Sequence, residues 1–241
     1  MGSCKKRLSS VFVEATALLI TPLALIYAAL FQSEQSLVIS SVALVASLCI
    51  MAACINYARL GISGIVLAAT LAALVAAGRM LFAPFPSFKP VSALTILSGM
   101  HFGRQVGFLV GALAALISNF FFGQGPWTLW QMYSWGLMGW LASFLTPPQD
   151  NKLSLFVLCC FGFASAFLFG FLMNTWHIVG FLHPFTWQGA LLVYGAGLPF
   201  DITHALSTVL FLTLMQHFWH KKIERIVRKY RRLLKQSRKG L

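Results

Sequence analysis

The sequence predicts an all-α protein that crosses a membrane several times. Of its 241 residues, 59% are hydrophobic and 10% are charged, and the mean hydropathy is +0.80. Soluble domains carry about 25% charged residues, so a soluble fold of this composition would leave much apolar surface in water. Apolar runs of roughly 20 residues recur along the chain, which is the length of a helix that spans about 30 Å of hydrocarbon.

Eight apolar segments are predicted as membrane-spanning helices. They are 11–31, 37–56, 63–82, 91–103, 105–122, 128–145, 153–173 and 200–219. The first two form a hairpin around a short polar turn at 32–36. We therefore predict an N-terminal cytoplasmic anchor with a two-helix hairpin at 1–60, a six-helix core at 61–220, and a basic cytoplasmic tail at 221–241.

Basic residues set the predicted orientation. The segment 91–103 is too short to cross a bilayer unaided, but counting it as a span places both termini on one side. Sixteen of the eighteen Lys and Arg residues then share that side, and Arg79 and Lys89 lie opposite. Basic residues collect on the cytoplasmic side of membrane proteins. The prediction is a multi-pass protein of the bacterial cell membrane with both termini in the cytoplasm.

Residues 118–132, called here the aromatic segment, separate two apolar runs. The segment contains three consecutive phenylalanines, then Gly123, Gly125 and Pro126 within a stretch that also holds two tryptophans and two glutamines, and it has no charge. Glycine and proline favour an irregular turn. A turn that only met water would be small and polar, so we interpret this one as the lip of a site for a sizeable organic molecule. An interfacial aromatic belt is the alternative interpretation.

The predicted orientation gathers three unusual segments on the outer face, at 83–90, 123–131 and 174–188. The inner turns at 100–104 and 146–152 are simpler. An elaborate outer face over plain inner turns indicates a protein that captures something from outside. A channel is not favoured, because no span carries the polar stripe that a pore requires.

Five polar residues near the outer face are candidate site residues, and four of them have two open interpretations. Asp201 follows a proline and either caps the last helix or contacts a ligand. His204 lies one turn further, but two residues do not make a metal site. Arg79 and Lys89 either bind a phosphate or carboxylate or extend to headgroups. Asn119 either bonds another helix or contacts a ligand.

Several stretches carry a resemblance to a known family. They read Gly-Arg-Met-Leu-Phe at 78–82 leading into 86–93, Gly-Phe-Leu-Val-Gly-Ala at 107–112, Ser-Asn-Phe-Phe-Phe-Gly-Gln-Gly-Pro-Trp at 118–127, and Leu-Pro-Phe-Asp at 198–201 with His204 and Ala205. Over about 61–219 the chain resembles the substrate-binding S components of energy-coupling factor (ECF) vitamin transporters. It is most similar to the cobalamin-type group, through 125–132, although Leu129 stands where proline is expected. The first two helices lie outside the resemblance.

The resemblance implies a six-helix subunit that binds a vitamin from outside and works with a transmembrane coupling subunit and two cytoplasmic ATPases. Cobalamin is the expected ligand, riboflavin-like, queuosine-like and haem-like molecules are alternatives, and no other cofactor is expected. The chain has no Gly-x-x-x-x-Gly-Lys-Ser/Thr phosphate loop, so ATP hydrolysis would belong to the partners. The expected substrate-binding residues are Phe88, Lys89, Asn119, Gln124, Trp127, Trp130, Gln131, Trp176, His177, Asp201 and His204.

Small residues recur at every fourth position of the third span, in two stripes. One stripe is Ala68, Ala72 and Ala76, and the other is Ala69, Ala73 and Ala77. This spacing places each stripe on one helical face, where another helix can approach closely. Packing inside the protein and docking of a partner are both open. Similarity to the family's alanine-motif docking helix implies a coupling-subunit interface at Ala68, Ala69, Ala72, Ala73 and Ala76.

An intramembrane enzyme is a weaker hypothesis. Gly-Ile-Ser-Gly at 61–64 matches a rhomboid-protease pattern, and His204 is the available base. The predicted orientation separates Ser63 and His204 by most of the bilayer, which precludes the hydrogen bond that would activate the serine. The five cysteines show no metal-binding or redox spacing. We therefore expect neither catalysis nor a metal centre.

Overall fold

The computed structural model describes residues 2–31, 35–57, 60–145 and 152–237. These residues form α-helices joined by short connections. The helices are α1 (Gly2–Phe31), α2 (Ser36–Tyr57), α3 (Gly61–Leu81), α4 (Val91–Phe102), α5 (Arg104–Phe122), α6 (Trp127–Ala142), α7 (Lys152–Phe181) and α8 (Trp187–Ser237). The predicted all-α fold is confirmed, and each predicted span corresponds to one of these helices. Residues 32–34 of the predicted turn at 32–36, Arg59 and most of the inner turn at 146–152 fall outside the described residues.

Six of the helices are long and apolar enough to cross a membrane. The candidate spans are Ser10–Ala28, Ser36–Asn56, Ile62–Leu81, Arg104–Phe122, Ser154–Phe181 and Trp187–Phe218. The predicted polytopic membrane protein is thereby confirmed. Helices α4 and α6 are shorter, with 12 and 16 residues. Both are largely buried, so packing against neighbouring helices compensates for their length.

Helices α7 and α8 are longer than predicted, with 30 and 51 residues. The segment 174–188 is therefore mostly helical, and Trp176 and His177 lie in α7 rather than in a loop. Pro199 lies inside α8, whereas the sequence predicts a last helix that begins after it, at residue 200. Asp201 is not in a first helical turn, so its interpretation as a helix cap is wrong. A proline is tolerated inside a membrane helix because neighbouring groups satisfy the backbone carbonyl that it frees.

The chain divides into two compact units. The first unit comprises 1–59 and 171–197, and the second comprises 60–170 and 198–241. In the first unit α2 is joined to α1 by hydrogen bonds that Ser47 Oγ donates to the Ala17 carbonyl over 2.6 Å and Ser36 Oγ to the Ala28 carbonyl over 3.3 Å. The hydroxyls of Thr175 and Tyr194 bond over 2.6 Å in the same unit.

Three glycines bring α4, α5 and α6 into backbone contact in the second unit. A Cβ atom on Gly99 or on Gly107 would collide with the Gly139 carbonyl, and one on Gly139 would collide with the Gly107 backbone. Close contact between helices is the means by which membrane proteins gain packing energy, since lipid supplies no hydrophobic drive between them. This junction positions α5 and α6, which carry most of the candidate site.

The two alanine stripes of α3 have different surroundings. Ala68, Ala72 and Ala76 are fully buried within the second unit, where they pack inside the protein. The expectation that these three contact a coupling subunit is therefore wrong. Ala69 and Ala73 are exposed. One stripe thus belongs to the internal packing, and the other leaves a surface of small side chains on α3.

The basic tail continues α8 as a helix as far as Ser237. Its Val227 and Tyr230 are buried within the second unit, and the Tyr230 ring meets Phe102 edge to face at 5.6 Å between centroids. Arg225, Arg228 and Lys229 are exposed. The extension is therefore amphipathic, with its apolar side on the protein.

Candidate ligand-binding site

Arg79, near the end of α3, joins three helices through its guanidinium group. It is 9% exposed. One terminal nitrogen donates to Ser118 Oγ over 2.5 Å and to Asn119 Oδ1 over 2.7 Å, both on α5. The other terminal nitrogen donates to Gln131 Oε1 of α6 over a longer 3.4 Å. A buried cation is therefore held by neutral acceptors, which orient it without neutralising its charge.

Asn119 stands at the centre of an amide and hydroxyl network. Its side chain is 1% exposed. Its Nδ2 donates to Thr128 Oγ1 and to Gln131 Oε1, both over 2.9 Å. Thr128 donates onward to Gln124 Oε1 over 2.9 Å, and Gln124 Nε2 donates to the Leu116 carbonyl over 3.0 Å. With the bond from Arg79, the Asn119 amide has internal partners at both ends, which fixes the rotamer of the side chain.

Aromatic rings surround the charged end of this network. The Arg79 guanidinium carbon lies 4.6 Å from the ring centroid of Phe122 and 4.8 Å from that of Trp135. Lys89 Nζ lies 5.6 Å from the centroid of the same Phe122 ring. Trp127 is 39% exposed, and its Nε1 donates to the Gly123 carbonyl over 3.3 Å. Two cations thus lie over the same aromatic ring.

Lys89 lies in the connection between α3 and α4. Its Nζ donates to the Phe85 carbonyl over 3.0 Å, and its own carbonyl accepts a bond from Ser207 Oγ of α8, also over 3.0 Å. Burial, and secondly the positive charge of Arg79, lower the pKa of Lys89 below its ordinary value. The ammonium group is therefore less well solvated than that of a surface lysine.

A second, smaller network adjoins the first at Trp135. Trp135 Nε1 donates to Ser92 Oγ over 3.1 Å, and Ser92 Oγ bonds His204 Nε2 over 2.6 Å. Phe169 stacks on Trp135 at 4.8 Å and meets His204 edge to face at 5.2 Å. The imidazole Nε2 is thus engaged by Ser92, and Ser63, the serine of the enzyme hypothesis, is not its partner.

Within the described residues, no carboxylate forms an ion pair with Arg79 or Lys89. The acidic residues are Glu14, Glu34, Asp150, Asp201 and Glu224. Glu224 faces Arg228 at 3.8 Å, and Asp201 lies against Gly170. Glu34 and Asp150 fall outside the described part of the chain. Among the residues that are described, Arg79 and Lys89 form no ion pair, and no group of three or more His, Cys, Asp or Glu side chains suits a metal ion.

Comparison with known proteins assigns the family. Residues 59–223 match DUF6580, a family of unknown function, and the match spans well over half of the chain. The chain belongs to this family. No curated protein and no solved structure matches the chain. The Arg79 and Asn119 network and the Ser92 and His204 network both lie inside the DUF6580 region.

The structure brings together many of the residues that the sequence singled out in this DUF6580 protein. Lys89, Asn119, Gln124 and Gln131 belong to one connected cluster, with Trp127 at its edge. Trp130 of the same helix is only 1% exposed, so it packs inside the second unit and offers no free stacking face.

Other predicted site residues make contacts that do not involve the cluster. Phe88 packs against Phe211, with 5.6 Å between ring centroids, and so contributes to the core. Trp176 and His177 belong to the first unit, where both rings contact Phe181. Asp201 makes no hydrogen bond with a described residue. These positions remain predictions as ligand contacts.

Several members of the cluster were not predicted as site residues. Ser118 and Thr128 lie in the aromatic segment and Ser92 in a stretch that carries the resemblance, but neither these three nor Trp135 were among the predicted ligand contacts. The signal in the sequence that could have identified them is Arg79. An arginine inside a membrane span must face polar partners, so serines, threonines and amides at the same depth in other spans were the residues to seek.

Proposed function

We propose that this protein is the substrate-binding subunit of an ECF-type importer. In this proposal it captures a vitamin or similar micronutrient at the outer side of a bacterial cell membrane. A transmembrane coupling subunit and two cytoplasmic ATPases then complete the transport. Cobalamin is the first candidate ligand, and riboflavin-like, queuosine-like and haem-like molecules are the others. Both termini lie in the cytoplasm in this arrangement.

The observation that carries the proposal is the polar and aromatic cluster around Arg79 and Asn119. Polar and ionisable groups are costly inside a membrane, and where they occur they mark sites of function. This cluster also lies where the charge distribution predicts the outer face, and Trp127 stands at its edge with part of its ring exposed. Ligand sites combine such apolar walls with a few fixed polar groups.

A second observation supports a partner in the membrane. The exposed stripe of small residues on α3 allows another helix to approach closely at Ala69 and Ala73, and lipid-exposed helices gain little from such residues unless something packs on them. The sequence contains no phosphate loop of the kind that ATPases use. An importer built on this chain therefore takes its energy from other subunits.

Retention of a small molecule by the purified protein tests the proposal. The full chain is expressed in bacteria supplied with cobalamin, riboflavin, queuosine and haem, purified in mild detergent, and examined by native mass spectrometry. We expect one of these molecules to remain bound to the wild-type protein and to be lost from Asn119→Leu. Retention of none of them, by protein shown to be folded, would contradict the proposal.

An intramembrane hydrolase is the second candidate, and the 2.6 Å hydrogen bond between Ser92 and His204 favours it. Activated serines bond to a base in this way. Against it, Ser92 is fully buried and already accepts a hydrogen bond from Trp135, so its oxygen is not available for attack. A fluorophosphonate probe distinguishes the two functions, because a hydrolase would be labelled at Ser92 and a binding subunit would not.

A further inference from the structure

The charge of Arg79 is buried without a counter-charge in the described residues. Its bonds to Ser118, Asn119 and Gln131 are all to neutral oxygens. A buried charge is strongly unfavourable unless it is paired. A guanidinium has five N–H groups, so the three bonds leave two that bond no described residue. The site is thus preorganised, with positive charge in excess and donors to spare.

Lys89 adds a second positive charge at the same place. Both cations lie over the Phe122 ring, and the charge of Arg79 contributes to the lowered pKa of Lys89. Placing two like charges together in partly desolvated surroundings is unfavourable for the ligand-free protein. A negative group between them would remove both the repulsion and the unpaired charge.

Extension of the Arg79 side chain to lipid headgroups does not explain this arrangement. A side chain that extends to the interface keeps its charged end in water or among headgroups. Arg79 is instead 9% exposed, and its terminal nitrogens are directed at side chains of α5 and α6. The guanidinium is held inside the protein by specific hydrogen bonds.

We propose that Arg79 and Lys89 form an oxyanion site, which takes a carboxylate or phosphate group attached to an apolar or aromatic body. The two spare N–H groups of Arg79 and the ammonium of Lys89 hold the oxyanion. Phe122 and the exposed face of Trp127 contact the body. The identification of this group as part of a transported molecule rests on the proposed function, whereas the oxyanion chemistry rests on the site alone.

Matched charged and neutral probes test the chemistry directly. The purified full chain in neutral detergent is titrated with benzoate, phenyl phosphate and the uncharged benzamide, and binding is followed by calorimetry and by the rise in Tm. We expect both anions to bind and to raise the Tm, and benzamide to bind at least tenfold more weakly, because a neutral amide makes weaker hydrogen bonds to cationic donors than a carboxylate does. Equal binding of benzoate and benzamide would overturn the proposal.

Three variants locate the site. Lys89→Gln and Arg79→Gln each remove one positive charge, and each is expected to weaken benzoate binding about tenfold or more. Arg225→Gln removes one charge from the exposed part of the α8 extension and is expected to leave the affinity unchanged. If Arg79→Gln does not fold, Lys89→Gln decides. Unchanged benzoate affinity in Lys89→Gln would overturn the proposal.

Glu34 provides a test of an internal counter-charge, since it falls outside the described residues. Benzoate affinity is compared between the wild-type protein and Glu34→Gln. Equal affinities support an oxyanion site that is free for a ligand. Binding that appears only in Glu34→Gln would show that a carboxylate of the chain occupies the site, and the proposal would fail.

The source of the oxyanion is established in nanodiscs. Benzoate affinity is measured in phosphatidylcholine alone and in phosphatidylcholine with phosphatidylglycerol. If phosphatidylglycerol weakens benzoate binding, the natural oxyanion is a lipid headgroup. If the benzoate affinity is the same in both nanodiscs, the natural oxyanion belongs to a soluble molecule. Both outcomes support the site and identify its source. Anion binding without any coupling subunit would sustain this inference even if the transporter proposal failed.

Discussion

The amide groups of Asn119 and Gln131 meet across the junction of α5 and α6, where Asn119 Nδ2 donates to Gln131 Oε1 over 2.9 Å. The same Gln131 oxygen also lies 3.4 Å from an Arg79 nitrogen. The pair therefore connects Arg79 of α3 to the first turns of α6. Trp127, which is partly exposed, is the first residue of that helix. Changes to this pair should affect both the fold and the ligand.

Asn119→Leu is expected to lower the free energy of unfolding by about 1–3 kcal/mol. The substitution leaves the buried oxygens or N–H groups of Arg79, Thr128 and Gln131 without this partner. Thermal unfolding in detergent measures the effect. The matched control is Asn174→Leu in the first unit, because Asn174 Nδ2 is buried without a hydrogen-bond partner among the described residues. We expect Asn174→Leu to leave the free energy of unfolding unchanged or to raise it. If both variants lost the same free energy of unfolding, the hydrogen bonds of Asn119 would not account for the effect.

Raising the pH through the lowered pKa of Lys89 is expected to weaken anion binding. The free protein then holds Lys89 uncharged, so binding must first restore a proton. Burial of Lys89, and secondly the positive charge of Arg79, lower this pKa and so set the pH at which the loss begins. Lys89→Arg keeps its charge and should bind benzoate equally over the range. Calorimetry from neutral pH to pH 10.5, the ordinary pKa of lysine, measures the difference.

The same shift has a consequence for the stability of the ligand-free protein. Between the lowered folded pKa and the unfolded value of 10.5, the unfolded chain binds more protons at Lys89 than the folded chain does. Stability from this group therefore rises as the pH rises through that window. Lys89→Met should lack this rise, and the difference between its Tm curve and that of the wild-type protein isolates Lys89. A parallel pair of curves would contradict the assignment.

Gly139→Ala is expected to destabilise the second unit by about 1–3 kcal/mol or to prevent folding. Its new Cβ atom would collide with the Gly107 backbone, and overpacking costs energy of this order because α5 and α6 must separate. Gly195→Ala is the matched control, since a Cβ atom there meets nothing within 4 Å. That change should be neutral or slightly stabilising. Chemical denaturation of both variants in detergent measures the contrast.

Hydropathy and charge were sufficient to predict the helices of this protein, because membrane-spanning helices need only a long apolar run. They were not sufficient to predict the ends of α7 and α8. Residues 187–198 are rich in small and apolar side chains and precede a proline. This pattern suits a loop that enters a helix as well as a helix that contains the proline. Packing against other helices decides between these, and it is not visible in one sequence.

The sequence predicted several residues of the candidate site, but not which of them contact one another. Asn119, Gln124 and Gln131 stood out because amides are unusual beside apolar spans, and the structure joins them. Ser118 and Thr128 did not stand out, since their role depends on the position of Arg79 in another helix. Trp130 and Trp127 looked equivalent in the sequence, yet helical geometry places one ring inside the protein and leaves part of the other accessible.

Substitutions in the two alanine stripes of α3 test different properties, because one stripe is buried in the protein and the other is exposed. A change in the buried stripe tests folding, and a change in the exposed stripe tests the proposed docking of a partner. Ala72 is fully buried within the second unit, so Ala72→Trp is expected to overpack the core and to lower the yield of folded protein. Ala73 is exposed, so Ala73→Trp should fold and bind ligand as the wild-type protein does. It would nevertheless hold a partner helix away from α3.

Co-purification tests the proposed partner contact. The coupling subunit and ATPases are expressed with wild-type protein, Ala73→Trp or Leu74→Trp. Leu74→Trp is the control, because it replaces one large exposed side chain by another at a position outside the alanine stripe. We expect Ala73→Trp to reduce the recovered coupling subunit and vitamin uptake by about tenfold, because close helix contact is the main attraction available in lipid. Leu74→Trp should have little effect. Recovery of the coupling subunit with Ala73→Trp at the wild-type level would remove this stripe as the docking surface and leave the transporter proposal resting on ligand capture alone.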